Sequence, residues 1–253
     1  MTRPRFFHPS AGSRVRIDRE EPAYHYFLRV VRVRPGEDVV LFRGDGVDYV
    51  YRLAGADSRG LDLSLTEKVQ VDSDPDLVLT LLLAVLKGDR VSDVIRSVVP
   101  LGVGRLIPFL SARGVRRPGE SYVSRWTTVA DQAVRQCGRT RPPEILRVCD
   151  SLDEGLSTVR RLAKGSFAGL VFWEEAETRL EQALGEIERK MRSMEGSEVV
   201  CVIGPEGGLT REEVQVAVET GLLPCRMGAR ILRSELAAVV AAALIQHRLG
   251  DLR

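Results

Sequence analysis

The chain has 253 residues, 44% of them hydrophobic and 28% charged, with a formal net charge of +2, enough for one large domain or two modest ones with a real core. No apolar run reaches the roughly 18 residues of a membrane helix, and the start, Met-Thr-Arg-Pro-Arg-Phe-Phe-His, lacks the apolar stretch of a signal peptide. Four scattered cysteines (Cys137, Cys149, Cys201, Cys225) form no Cys-x-x-Cys pair, which argues against a metal site or a disulfide framework and for a reducing, cytoplasmic setting.

In chain order, residues 1–72 read as a small β-barrel domain. Residues 38–42, 46–53 and 61–65 cluster or alternate β-formers between turns at Pro35-Gly36 and Gly44-Asp45-Gly46, and residues 22–33 suit a short helix. Asp72-Ser-Asp-Pro-Asp76 is a polar linker. From 77 to 253 the pattern alternates. Strands are expected at 77–86, 104–109, 168–173, 198–203 and 222–227, and helices at 89–99, 122–137, 178–194, 210–220 and 234–248. Such βα alternation implies an α/β fold with a parallel sheet covered on both faces. The pattern leaves open whether it is an ordinary doubly wound sheet or something less usual.

Charge is unevenly spread. Residues 1–34 hold eight arginines against three acids, and residues 105–147 hold nine against three, with no lysine in either stretch. A guanidinium fork pairs bidentately with phosphate oxygens, so these clusters suit an RNA backbone as well as a solvated surface.

The most specific chemistry lies near the C-terminus. The apolar run Glu198–Ile203 enters Gly204-Pro205-Glu206-Gly207-Gly208, and Thr210 with Glu213 then forms a Thr-x-x-Glu capping box. Two consecutive glycines permit close backbone approach and positive φ, and Pro205 stiffens the entry. The logic repeats at Leu222–Met227, Gly228 and the helix from Ser234. Two glycine turns, each after a strand, suggest one shared ligand pocket. No Gly-x-Gly-x-x-Gly follows the first strand and no P-loop is present. Lys87-Gly88 is a weak signal by comparison.

Ile203-Gly-Pro-Glu-Gly-Gly-Leu-Thr210, then Gly228-x-Arg230-Ile-Leu-Arg233-Ser-Glu235, resembles the RsmE family of ribosomal RNA methyltransferases, which are SPOUT-class enzymes. Arg3-Pro-Arg-Phe-Phe-His8, Phe27–Gly36, Leu41–Gly46, Lys87-Gly-Asp89, Leu101-Gly102 and Gln136–Glu144 agree with it in order, so the likeness covers nearly the whole chain. The resemblance implies a PUA-like RNA-binding domain (1–72) ahead of a SPOUT trefoil-knot methyltransferase domain (77–253). It further implies a homodimer that methylates N3 of a uridine in 16S ribosomal RNA of the small subunit, with S-adenosylmethionine as cofactor and no metal. The donor would be wrapped by Ile203, Gly204, Pro205, Glu206, Gly207, Gly208, Met227, Gly228, Ile231 and Leu232, with Phe172 and Trp173 as an apolar wall. Arg233 and Glu235 are the candidate catalytic pair: Arg233 for charge on the uracil, Glu235 or Glu206 for its proton. Arg3, Arg5, Arg29, Arg32 and Arg139 would contact RNA.

The chain departs from the family pattern in places. Pro100 replaces an acid before Leu-Gly, Gln132 and Arg135 replace the acids of Glu-x-x-Glu-Gln, and Leu236 replaces a threonine. These changes keep two alternatives open: a SPOUT enzyme with another RNA target, or a catalytically inactive RNA-binding homologue.

Overall fold

The computed structural model describes residues 3–10, 12–119, 121–163, 166–194 and 198–252. The chain divides into two compact units, one of residues 1–74 with Val134–Pro142, the other of residues 75–133 with 143–253. From sequence the division is placed between 72 and 77. It did not assign the segment 134–142 to the first unit.

The first unit is built on a five-stranded sheet of β1 (Arg5–Phe7), β2 (Arg14–Asp18), β3 (Asp38–Phe42), β4 (Val47–Ala56) and β5 (Gly60–Gln70), ordered β1-β3-β4-β5-β2. Only β1 and β3 run parallel. In β2 the residues alternate between exposed and buried, as a strand with one solvated face does. Its core gathers Ile17, Phe27, Leu41, Tyr51 and Leu61. The helix expected at 22–33 is α1 (Pro22–His25) running into a single π-helical turn (Tyr26–Val30). The wider turn closes with Val31 N–H on the Tyr26 carbonyl, and Arg32 ends it at φ 57°, a left-handed position usually held by glycine. Strands β1 and β2 were not anticipated. They are short and rich in arginine.

The second unit carries a parallel sheet of β6 (Val78–Ala84), β7 (Val103–Phe109), β8 (Glu144–Ile145), β9 (Ala168–Phe172), β10 (Glu198–Ile203) and β11 (Leu223–Cys225), in the order β11-β9-β10-β6-β7-β8. All six residues of β10 are buried, and after Glu198 the strand reads as an unbroken apolar run. The helices are α2 (Arg90–Val98), α3 (Ser121–Cys137, whose last residues from Val134 belong to the first unit), α4 (Leu152–Leu162), α5 (Leu180–Met191), α6 (Arg211–Glu219) and α7 (Ser234–Leu249). The sequence reading missed α4, although Ser151 accepts from Glu154 N–H and the buried Leu152, Leu156 and Val159 follow at helical spacing. The expected capping box of α6 is present in full: Thr210 takes the Glu213 N–H and Glu213 takes the Thr210 N–H. No described helix is long and apolar enough to cross a membrane.

Candidate active site

Strands β9, β10 and β11 are neighbours and parallel, so their C-terminal ends deliver three loops to one edge of the sheet: residues 173–179, 204–210 and 226–233. This edge is where open α/β sheets bind ligands. The loops are tied at their roots, where Trp173 N–H bonds the Cys225 carbonyl (3.0 Å) and Arg226 N–H the Thr178 carbonyl (3.0 Å).

A cavity of about 180 Å³ opens there, lined by Phe172–Glu174, Cys225–Leu232 and Ala237. Six of the expected donor residues thus meet in it: Phe172, Trp173, Met227, Gly228, Ile231 and Leu232. Glu174, Arg226 and Arg230 were not singled out from sequence. Ile203, Gly204, Pro205, Glu206, Gly207 and Gly208 do not line it. Gly228 has φ 135° and nothing within 4 Å of where a Cβ would stand, so its backbone faces open space. Cys225 lies beneath, and burial pushes its thiol up to about 12, as burial does for Cys201. Both stay protonated at neutral pH and are poor nucleophiles.

The Gly204–Gly208 loop is gripped by protein instead. A Cβ on Gly204 would stand 2.8 Å from Leu209 Cγ, and one on Gly207 would stand 3.1 Å from both the Cβ and the carbonyl oxygen of Arg113. A Cβ on Gly208, which has φ 74°, would stand 2.8 Å from Glu174 Oε1. Glu206 accepts from Lys87 N–H (3.2 Å) and from Arg90 (2.8 Å). Glu213, besides its cap, accepts from Ser111 Oγ (3.1 Å) and Ala112 N–H (3.0 Å). The loops after β6, β7 and β9 therefore fix this turn from three sides.

Arg233 is the exposed N-cap of α7, and its carbonyl accepts from Ala237 N–H (2.8 Å). Glu235, in the first turn, keeps Oε2 buried with no hydrogen-bond partner. A buried carboxylate oxygen without a donor is costly. A second cavity of about 390 Å³ lies at the N-termini of α4 and α6, rimmed by Asp150, Asp153, Glu212 and Glu213. It contains none of the expected site residues. Among the described residues no cluster of three or more His, Cys, Asp or Glu is arranged to hold a metal.

The five expected RNA-contacting arginines divide. Arg29 and Arg32 are exposed, and no described residue pairs with either. Arg3 is about half exposed, 3.8 Å from Asp38 and 3.6 Å from Glu67. Arg5 is turned inward, donating to Asp48 through Nε (3.0 Å) and Nη2 (2.6 Å) beneath the Phe42 ring. Arg139 is 5% exposed and binds Asp74 at 3.1 Å. Arg5 and Arg139 thus spend their guanidinium groups on carboxylates of the same unit, which leaves them less open to RNA phosphate than Arg29 and Arg32. Arg135, which stands where the family pattern has an acid, lies over the rings of Phe6 (4.6 Å) and Tyr26 (4.7 Å). That departure is absorbed inside the first unit.

Comparison with known proteins gives a consistent result. The family model for the RNA methyltransferase domain matches residues 73–246, and that for the RNA methyltransferase PUA domain matches residues 20–66. The chain is 27% identical over 234 residues to ribosomal RNA small subunit methyltransferase E of Bacillus subtilis, covering 90% of this chain and 89% of that one. It is 28% identical to the protein of the same name from Mycobacterium tuberculosis, covering 92% and 86%. Among solved structures, ribosomal RNA small subunit methyltransferase E of Neisseria gonorrhoeae bound to S-adenosyl methionine superposes with a TM-score of 0.86 at 28% identity over the full length of both chains. A PUA-like domain N-terminal to a SPOUT methyltransferase domain is thus the architecture, and the chain belongs to the RNA methyltransferase family, within it to the RsmE group.

Proposed function

We propose that this protein methylates N3 of a uridine in 16S ribosomal RNA of the small subunit, with S-adenosylmethionine as the methyl donor. The observation that carries the reading is the full-length likeness to the donor-bound Neisseria enzyme, joined to a cavity whose walls suit the donor. Phe172, Trp173, Met227, Ile231 and Leu232 offer apolar surface for an adenine, and the open backbone at Gly228 offers edges for hydrogen bonds. These residues would hold the donor, with the Ile203–Gly208 turn as a rigid support at its side. When bound, S-adenosylmethionine supplies a methyl group on a sulfonium, already activated toward a nitrogen.

What remains for the chain is positioning and proton removal. N3 of a uracil carries a proton at neutral pH. Glu235 Oε2, buried and without a donor, is the acceptor for it. Glu206 is committed to Lys87 and Arg90, so it serves the loop, not the proton. Arg233, exposed one residue before the first turn of α7, stabilises negative charge developing on the uracil.

Arg3, Arg29 and Arg32 bind RNA phosphate in the domain we assign to residues 1–72, and catalysis belongs to residues 77–253. The working form is a homodimer in the cytoplasm. Support for the dimer comes from α7, which is apolar around its girth and leaves Leu236 at 49% and Leu244 at 38% exposure, beside Ile231 at 85%. A helix apolar on all sides belongs in an interior.

Calorimetric titration with S-adenosylmethionine, followed by methyl transfer to small subunits lacking the modification, tests the reading. Binding with transfer to uridine N3 is expected. Binding without transfer means another RNA target, and no binding means an RNA-binding homologue without catalysis.

A further inference from the structure

The two glycine turns meet at one side chain that the mechanism leaves unused. Glu174 lines the cavity, and its Oε1 occupies the space that a Cβ on Gly208 would take, at 2.8 Å. No described residue hydrogen-bonds or ion-pairs with this carboxylate. Its neighbour Glu175 behaves differently, pairing with Arg211 at 2.9 Å. The missing Cβ of Gly208 therefore makes room for an exposed charged side chain at the cavity wall, without a partner among the described residues.

We propose that Glu174 receives the α-ammonium of the methyl donor's amino-acid end, an assignment that rests on the function proposed above. The donor carries two cations and one anion: sulfonium, α-ammonium and α-carboxylate. A carboxylate set against the sulfonium would stabilise the ground state, because that charge disappears as the methyl group leaves, and would oppose transfer. The ammonium keeps its charge throughout and offers three donors, which a carboxylate with free oxygens matches. The same cavity is lined by Arg226 and Arg230, cationic groups suited to the α-carboxylate. The apolar residues of the lining are left for the adenine.

The test is calorimetric titration of the full-length protein and of Glu174→Gln with three probes. S-adenosylmethionine has both cations, S-adenosylhomocysteine has the ammonium only, and 5′-methylthioadenosine has neither. In the variant, the first two should weaken by a similar factor, about tenfold for one charge-assisted hydrogen bond, while 5′-methylthioadenosine binds as before and reports an intact pocket. Glu174→Asp, which keeps the charge but withdraws it by one methylene, should fall between. Weakening of S-adenosylmethionine alone would assign the carboxylate to the sulfonium and overturn the proposal. Equal weakening of all three would make Glu174 a support for the Gly208 turn, and no weakening of any would make it idle; both overturn it. Failure of the unaltered protein to bind any probe is a separate result, which removes the methyl-donor reading itself and this proposal with it.

Discussion

The two glycine turns of the methyltransferase unit look alike in sequence and do opposite work. At Gly204, Gly207 and Gly208 the absent side chain is filled by protein: Leu209, Arg113 and Glu174. At Gly228 nothing fills it. A glycine announces that something approaches closely, but not whether that something is ligand or neighbouring chain. The same division runs through the acids and the arginines. Glu206 is held by Lys87 and Arg90, while Glu235 keeps a buried oxygen unpaired. Arg5 is half-buried and Arg139 buried, each against a carboxylate, while Arg29 and Arg32 face solvent. On the function proposed above, the residues committed inward hold the site and those left open are the ones assigned to substrate.

The largest expected effect separates the two glutamates. Glu235→Gln keeps shape and removes the proton acceptor, so turnover should fall by about 10²–10⁴ with donor affinity unchanged. Glu206→Gln should do the reverse, weakening donor binding through a loosened loop with a smaller loss of turnover at saturation. Single-turnover methyl transfer at saturating donor, beside calorimetry, distinguishes them. Equal losses in both variants would break the comparison.

Next comes the inward ion pair of the first unit. Asp74 is buried, which raises its pKa, yet Thr140 Oγ1 (2.5 Å), the Thr140 N–H (3.0 Å), Arg139 Nε and the Arg141 N–H outweigh burial and hold the carboxyl below its ordinary value. A depressed folded-state pKa means that this stability is complete above about pH 4, the unfolded value, and is lost as the pH falls through the folded value. Asp74→Asn should therefore cost about 3 kcal/mol at neutral pH and flatten the acid limb of the denaturation curve. Chemical denaturation at several pH values measures both.

How much of this was open to sequence reading follows the same line. The α/β alternation, the capping box of Thr210 and Glu213, and the two turns are local patterns, visible because periodicity and capping act over a few residues. The fate of Arg139 was not visible. Its partner Asp74 lies 65 positions away, and nothing local marks an arginine as buried. Glu174 was missed for a similar reason: it reads as one exposed acid among four residues of Glu174–Glu177, and only the fold sets it against Gly208. Helix α4 was legible after all, through Ser151 and Glu154, and the short strand β8 was not, since two residues carry no period.

The glycines themselves give a smaller effect. Gly207→Val must displace the Arg113 backbone, an overpacking cost of about 1–3 kcal/mol, and should lower both the unfolding midpoint and donor affinity. Gly228→Ala meets no atom but must hold φ 135°, so it should weaken donor binding with a shallower loss of stability. Thermal unfolding with and without donor separates the two. Were Gly228→Ala the more destabilising in the absence of donor, the open turn would be bearing a structural load that the geometry does not assign to it.

The smallest effect tests the outward arginines, and it is read as a slope. Each phosphate contact contributes about 0.7 to the dependence of log affinity on log salt for single-stranded RNA. Arg29→Ala combined with Arg32→Gly should lower that slope by about 1.4 in binding to small-subunit RNA. Glycine is chosen at position 32 because φ is already 57° there, so the change removes charge without straining the turn that ends the π-helical segment. Arg5→Ala should instead destabilise the first unit, because it strips Asp48 of both its donors, and should leave the slope nearly unchanged in whatever fraction stays folded. If the slope responded to Arg5 and not to Arg29 with Arg32, the RNA would be read by a different face of this unit. The inward pair with Asp48 would then have to open on binding, which would cost a half-buried ion pair for each phosphate gained.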